Sequence, residues 1–248
     1  MSLDENPSSG NAERRDFALP VPLPAPAEGV ALWWCELVAP PARMQVLESW
    51  LSEAEVARAD RFGMPALRDR YVVGRASLRG ILGEVLGMAA REVPIVRGER
   101  GRPQLGTVSA PDFNVSHTAG VALIGVTRGA RIGVDIERID RAINVPGIAR
   151  KFLTGAERRV LADLEPDAAR KRVLSLWTCK EAMSKATGDA LSAPFGALDV
   201  ALEPGPDRAS PLAPRLCAGP APYEPSRWTL HRAAVPDDYT ATVALWRR

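Results

Sequence analysis

Apolar residues recur along this chain with two different periods. From Pro65 to about Met88, the residues Leu67, Tyr71, Leu78, Leu82 and Val85 fall at helical spacing, and Pro65 at a first helical position predicts a long helix there. A shorter helix is predicted before it, opened by the S-x-x-E pattern of Ser52 and Glu55 and running towards Arg61. Ala31–Val38 reads as a strand. Beyond the long helix the period drops to two. Phe113–Ser116, Val121–Thr127 and Arg131–Glu137 read as strands, the last two joined as a hairpin across Arg128, Gly129 and Ala130. Thr154 and Glu157 form a second capping box, and another helix is expected from about Pro166 to Ala186, stopped by Gly188 at the C′ position. Strands return at Trp228–Arg232 and Thr240–Trp246, where Ala241, Val243 and Leu245 alternate inward.

This order predicts an α+β fold of two similar lobes, each a small antiparallel sheet packed on a long helix, with the first lobe over residues 30–130 and the second over 131–248. Two Pro-rich stretches lie outside the pattern. Residues 1–29 are expected to form a mobile or extended arm, and residues 203–227 an irregular surface excursion. Nothing approaches the ~18 consecutive apolar residues of a membrane span. No basic segment followed by an apolar one marks a secretory signal. Cys35, Cys179 and Cys217 have no metal-ligand spacing, so a reducing, cytoplasmic setting is expected.

Charge narrows the partners. The chain carries 32 basic and 30 acidic residues, a net charge of +2, which argues against a general nucleic-acid coat. Only four of the basic residues are lysines, Lys151, Lys171, Lys180 and Lys185, and two of these stand within six residues of each other.

Three segments carry chemistry. In Arg131–Glu137, strand alternation puts Ile132, Val134 and Ile136 on one face and Gly133, Asp135 and Glu137 on the other. Two carboxylates ~6.6 Å apart along a strand can converge on one hard cation, and an all-oxygen donor set points to Mg²⁺ rather than zinc. In Trp177–Lys185, the residues Trp177, Glu181 and Lys185 share one helix face. Glu181 can complete the cation site and Lys185 can face a phosphate, while a plain surface ion pair is the competing reading. The third segment is basic: Arg68, Arg75 and Arg79 share a face of the first long helix, Gly101-Arg102-Pro103 forms a turn, and Ser116 and His117 end a strand as compact donors for a phosphate oxygen.

Taken in order, Gly-Arg-Pro, Phe-Asn-Val-Ser-His-Thr, Ile-Gly-Val-Asp-Ile-Glu and Trp-x-x-Lys-Glu-Ala-x-x-Lys-x-x-Gly resemble the 4′-phosphopantetheinyl transferases, in their larger single-chain, surfactin-synthetase-activating class. The resemblance covers roughly Ser52 to Leu191. It implies a monomer of two lobes with coenzyme A in the cleft between them. It also implies transfer of the phosphopantetheine arm of coenzyme A to a serine of an acyl or peptidyl carrier protein, with release of 3′,5′-ADP. Under it, Asp135, Glu137 and Glu181 match Mg²⁺ ligands, with Mn²⁺ able to substitute. Arg75, Arg79, Arg102, Pro103, Ser116, His117 and Lys185 match positions that hold the nucleotide and its phosphates. Glu181, Lys185 and His117 are the implied catalytic groups, Glu181 accepting the serine proton and the other two stabilising the phosphate. Arg102 stands where lysine is usual. The alternative is another Mg²⁺-dependent nucleotide-handling enzyme, such as a nucleotidyltransferase or nuclease. A non-catalytic phosphate-binding module, the third reading, would need none of the three carboxylates together.

Overall fold

The structure, a computed structural model, describes residues 20–98, 100–107, 110–204 and 212–247. Two compact units emerge, one built on Cys35–Val93 and the other on Pro22–Trp34 and the chain from Pro94 onward.

The first unit is helical: α1 (Pro41–Ser49), α2 (Glu53–Ala59) and α3 (Pro65–Leu86). Leu47, Leu51, Ala59, Val72, Val73 and Ala76 form its core. The Ser52–Glu55 box opens α2 as expected, and Glu55 does more than cap. One carboxylate oxygen accepts from the Ser52 amide at 3.0 Å and from Arg79, and the other accepts from Arg75. The α1 helix was not legible, since it has no apolar stripe and its start is marked only by paired prolines.

The second unit carries the sheets. One has the order β1-β2-β6-β5, from β1 (Val21–Leu23), β2 (Val30–Glu36, whose last two residues count with the first unit), β5 (Asp112–Thr118) and β6 (Val121–Thr127). Another has the order β10-β11-β7, from β7 (Arg131–Arg138), β10 (Trp228–Arg232) and β11 (Tyr239–Trp246). Short ribbons join β3 (Ile95–Arg97) to β4 (Pro103–Leu105), and β8 (Asp199–Glu203) to β9 (Ala213–Ala218). Val30, Leu32, Val121 and Leu123 meet Ile132, Val134, Ile136, Ala241 and Val243 in the core between the two larger sheets. The other face of β7 and β11 is covered by α6 (Pro166–Thr187), with α4 (Val145–Phe152) and α5 (Gly155–Ala162) beside it. Helix α6 ends at Gly188 with φ 84°, the left-handed C′ position expected of it.

Two expectations are corrected. The β6–β7 hairpin does not exist: β6 pairs with β5, and the chain crosses through Arg128–Ala130 to a different sheet. The true hairpin is β5–β6, whose two turn residues Ala119 and Gly120 both have positive φ, 41° and 84°, as a tight turn between twisted strands requires. Alanine rarely takes that conformation, so the turn carried no clear signal in the sequence. The excursion at 203–227 is not irregular throughout, because it contains β9, paired with β8; residues 205–211 within it lie outside the described residues. Within residues 1–29, Val21–Leu23 form the extended edge strand β1, and residues 1–19 lie outside the described residues. The strand's proline suits a sheet edge, where a missing N–H costs no ladder bond.

Candidate functional site

The two larger sheets of the second unit are joined by side chains. On β5, Asp112, Asn114 and Ser116 share one face, and each accepts from a backbone amide of β7: Ile132 N to Asp112 Oδ2 at 2.8 Å, Val134 N to Asn114 Oδ1 at 3.0 Å, and Ile136 N to Ser116 Oγ at 3.4 Å. These side chains take the place of a strand along the free edge of β7 and fix its register to β5. The D-x-N-x-S spacing is therefore an edge-capping device, and alternation alone could have flagged it.

Gly133 explains itself on the other side of the strand. A Cβ there would lie 1.8 Å from the carbonyl oxygen of Ala182 and 2.8 Å from the amide of Ala186, both backbone atoms of α6. The glycine lets the helix lie against the strand, and that close approach brings Lys185 to Asp135.

Lys185 Nζ donates to Asp135 Oδ1 at 2.6 Å and to Ser116 Oγ at 2.8 Å, while Ser116 Oγ donates to the same Asp135 oxygen at 2.8 Å. Asp135 is buried, and its other oxygen, Oδ2, has no partner among the described residues. Burial pushes the Asp135 carboxyl up, against the opposing charge of Lys185. Glu137, next on the same face, is paired with Arg141 and accepts from Thr118 Oγ1 at 3.4 Å. Burial raises its pKa too; Arg141 opposes this and the Asp135 charge adds to it. Glu181, half-buried on α6 one turn before Lys185, is raised by burial first and then by Asp135 and Glu137, with Lys185 opposing. The three acids thus feel one another's charge, and Lys185 offsets all three.

This donor set fits a hard divalent cation. It is all oxygen, its charges repel one another without one, and Asp135 Oδ2 is a buried acceptor without a donor. As placed, no three carboxylate, thiol or imidazole groups among the described residues form a ligating array. Lys185 pairs with Asp135 Oδ1 and Arg141 with one Glu137 oxygen instead.

The remaining candidates fall into other settings. His117 is exposed, on the face of β5 opposite Ser116. Arg102 is buried with every donor used: Nε to the Lys185 carbonyl at 2.9 Å, a two-pronged pair with Asp112 at 2.8 and 2.7 Å, and the carbonyls of Pro103, Phe113 and Ile132. It ties the end of α6 to β5 and β7. Pro103 opens β4 opposite Arg97. Arg75 and Arg79 belong to the first unit. Arg79 is buried between Glu55 and the carbonyls of Ala90, Arg91 and Val93, whereas Arg75 pairs with Glu55 and stays about a fifth exposed, at 22%.

Sequence reasoning also left Lys180 without a role. It is fully buried, donating to Glu157 Oε2 and to the carbonyls of Phe152 and Phe195 at 2.8 to 2.9 Å. Glu157 is itself the capping-box residue of Thr154 and accepts from the Val200 amide. Trp177 packs edge-on against Phe152 with ring centroids 5.0 Å apart. Both anchor α6, so the helix presents Glu181 and Lys185 in fixed orientation.

The chain is 36% identical over 181 residues to the 4′-phosphopantetheinyl transferase HetI of Nostoc sp., covering 72% of this chain and 76% of that protein. It is 28% identical over 153 residues to the 4′-phosphopantetheinyl transferase psf-1 of Bacillus pumilus, 61% of this chain and 64% of that one. Among solved structures it is similar to a holo-(acyl-carrier-protein) synthase from Bacillus anthracis in complex with CoA (3′,5′-ADP), at 23% identity and TM-score 0.37, over 48% of this chain and 98% of that chain. Residues 131–244, from the first residue of β7 through α6 into β11, match the 4′-phosphopantetheinyl transferase superfamily, and with the HetI likeness this shows that the chain belongs to that superfamily.

Proposed function

We propose that this chain moves the 4′-phosphopantetheine arm of coenzyme A onto a serine hydroxyl of an acyl or peptidyl carrier protein and releases 3′,5′-ADP. Family membership supports the reaction class, and the observation that carries the reading to residues is the Asp135–Ser116–Lys185 cluster facing Glu181. In this reaction the serine oxygen bonds to the phosphorus next to the pantetheine. The bond from that phosphorus to the bridging oxygen breaks, and 3′,5′-ADP leaves with the electron pair.

Asp135, Glu137 and Glu181 would hold Mg²⁺, or Mn²⁺ in its place. When bound, such an ion neutralises charge gathering on the pyrophosphate oxygens. Lys185 supplies a positive donor for a phosphate oxygen, and Ser116 orients both Lys185 and Asp135. Glu181 takes the serine proton. The nucleophile comes from the partner, so no hydroxyl or thiol of this chain needs activation. Arg75, which keeps partial exposure, meets the 3′-phosphate of coenzyme A, while Arg79 and Arg102 act through the architecture they brace.

The reading is tested by chromatography of the nucleotide products. With coenzyme A, Mg²⁺ and an apo carrier protein, 3′,5′-ADP should accumulate in step with carrier protein consumed. Nucleotide release that ignores the carrier protein, or none with a range of carriers, would contradict it.

A further inference from the structure

The contact between Lys185 and Asp135 has a consequence for cation binding, which rests on the metal reading above. The ammonium lies 2.6 Å from Asp135 Oδ1, and Ser116 braces both partners. Glu137 and Glu181 stand close enough for Lys185 to stabilise their charges as well. A point charge inside a group of three acids does electrostatically what a bound cation would do. Asp135 cannot lend its Oδ1 fully to both, because two cations sharing one oxygen repel each other. The unpartnered, buried Oδ2 shows that the lysine satisfies only half of the carboxylate. Lys185 also lies on a long flexible stem and its side chain is about a quarter exposed, at 27%, so it has somewhere to go.

We propose that Lys185 is an internal counter-ion that holds the acidic cluster together in the cation-free chain and competes with the divalent cation for Asp135. Cation binding displaces its ammonium from Asp135 and makes it available to an anionic ligand. The acids are thereby held in place before metal arrives, at the cost of weaker metal binding. Lys185 is a positioning residue in this role, separate from any contact it makes with phosphate.

The test needs neither coenzyme A nor turnover. Mn²⁺ is titrated into the full chain and free Mn²⁺ is read by electron paramagnetic resonance, for the wild-type protein and for Lys185→Met, which keeps length without charge. The variant should bind Mn²⁺ at least ~10-fold more tightly, a small share of the full charge–charge effect once solvent screening at a part-exposed site is allowed for. Its melting temperature without metal should fall, and added Mn²⁺ should raise it by more than in the wild-type protein. Mn²⁺ binding that is unchanged or weaker in a folded Lys185→Met protein would overturn the proposal while leaving the metal site standing. If neither protein binds Mn²⁺, the metal site and the competition both fail. Should Lys185→Met not fold, the wild-type chain still decides. The side-chain ammonium signal of Lys185 in nitrogen-15 magnetic resonance should shift or broaden on saturation with diamagnetic Mg²⁺, and a signal that stays put at saturation would reject displacement.

Discussion

Removing the ammonium of Lys180 would leave Glu157 buried without its counter-charge, and breaking such a pair costs about 3–5 kcal/mol. Lys180→Met is therefore expected to lower unfolding free energy by that order in a urea titration. Glu181, its neighbour in sequence, should behave in the opposite way. Glu181→Gln keeps the volume and removes the proposed metal ligand and proton acceptor, so transfer should fall by at least ~10²-fold with hardly any change in melting temperature. A well-folded Glu181→Gln protein with near-normal turnover would return Glu181 to an ordinary helix surface. Adjacent charged letters in the sequence look alike, and spacing distinguished Glu181 and Lys185 as sharing a face. It could not show that Lys180 points into the core, because its partners Glu157, Phe152 and Phe195 come from distant segments.

At the scale of elements, β7 is held between a helix with no room to spare and a row of side chains from β5. Gly133→Ala would drive a methyl group into the backbone of α6, which can yield only by moving the helix. A loss of at least ~1–3 kcal/mol is expected, together with weaker metal binding as Lys185 and Glu181 shift away from β7. Asn114→Ala would strand the Val134 amide and cost about 1–3 kcal/mol, measured by the same denaturation. Full wild-type stability in either variant would contradict the packing described. Long periodic elements were legible in the sequence: α3, α6, both capping boxes, and strands β5, β6, β7, β10 and β11 to within a few residues. What failed was pairing. A strand's alternation shows its two faces and says nothing of its neighbour, and a turn built on Ala119 offers no Asn-Gly or Asp-Gly cue. Short elements such as β1, β8 and β9 take their order from partners rather than from their own sequence.

Across the molecule, the first unit depends on one carboxylate. Burial pushes Glu55 up, but the charges and hydrogen bonds of Arg75, Arg79 and the Ser52 amide outweigh it, and the net shift is below the ordinary 4.5. A folded pKa below the unfolded one adds stability above the unfolded value, and that stability is lost as pH falls through the folded value. Unfolding free energy should therefore drop as pH falls below about 4.5 and on through the lower folded value, and Glu55→Gln should remove part of that slope. An unchanged slope would mean that another group governs acid stability. Arg75, which pairs with Glu55, is also the arginine proposed to meet the 3′-phosphate. Arg75→Ala should weaken binding of coenzyme A while leaving dephospho-coenzyme A nearly unaffected in calorimetry, and equal loss for both would remove Arg75 from 3′-phosphate recognition. The central claim is reached most directly by intact-mass spectrometry of an apo carrier protein incubated with this chain, coenzyme A and Mg²⁺. The carrier should gain the mass of one phosphopantetheine on its serine, and the gain should vanish with a metal chelator or with Asp135→Ala. A carrier protein that stays apo with the folded wild-type chain, or one converted equally well by Asp135→Ala at limiting Mg²⁺, would contradict it.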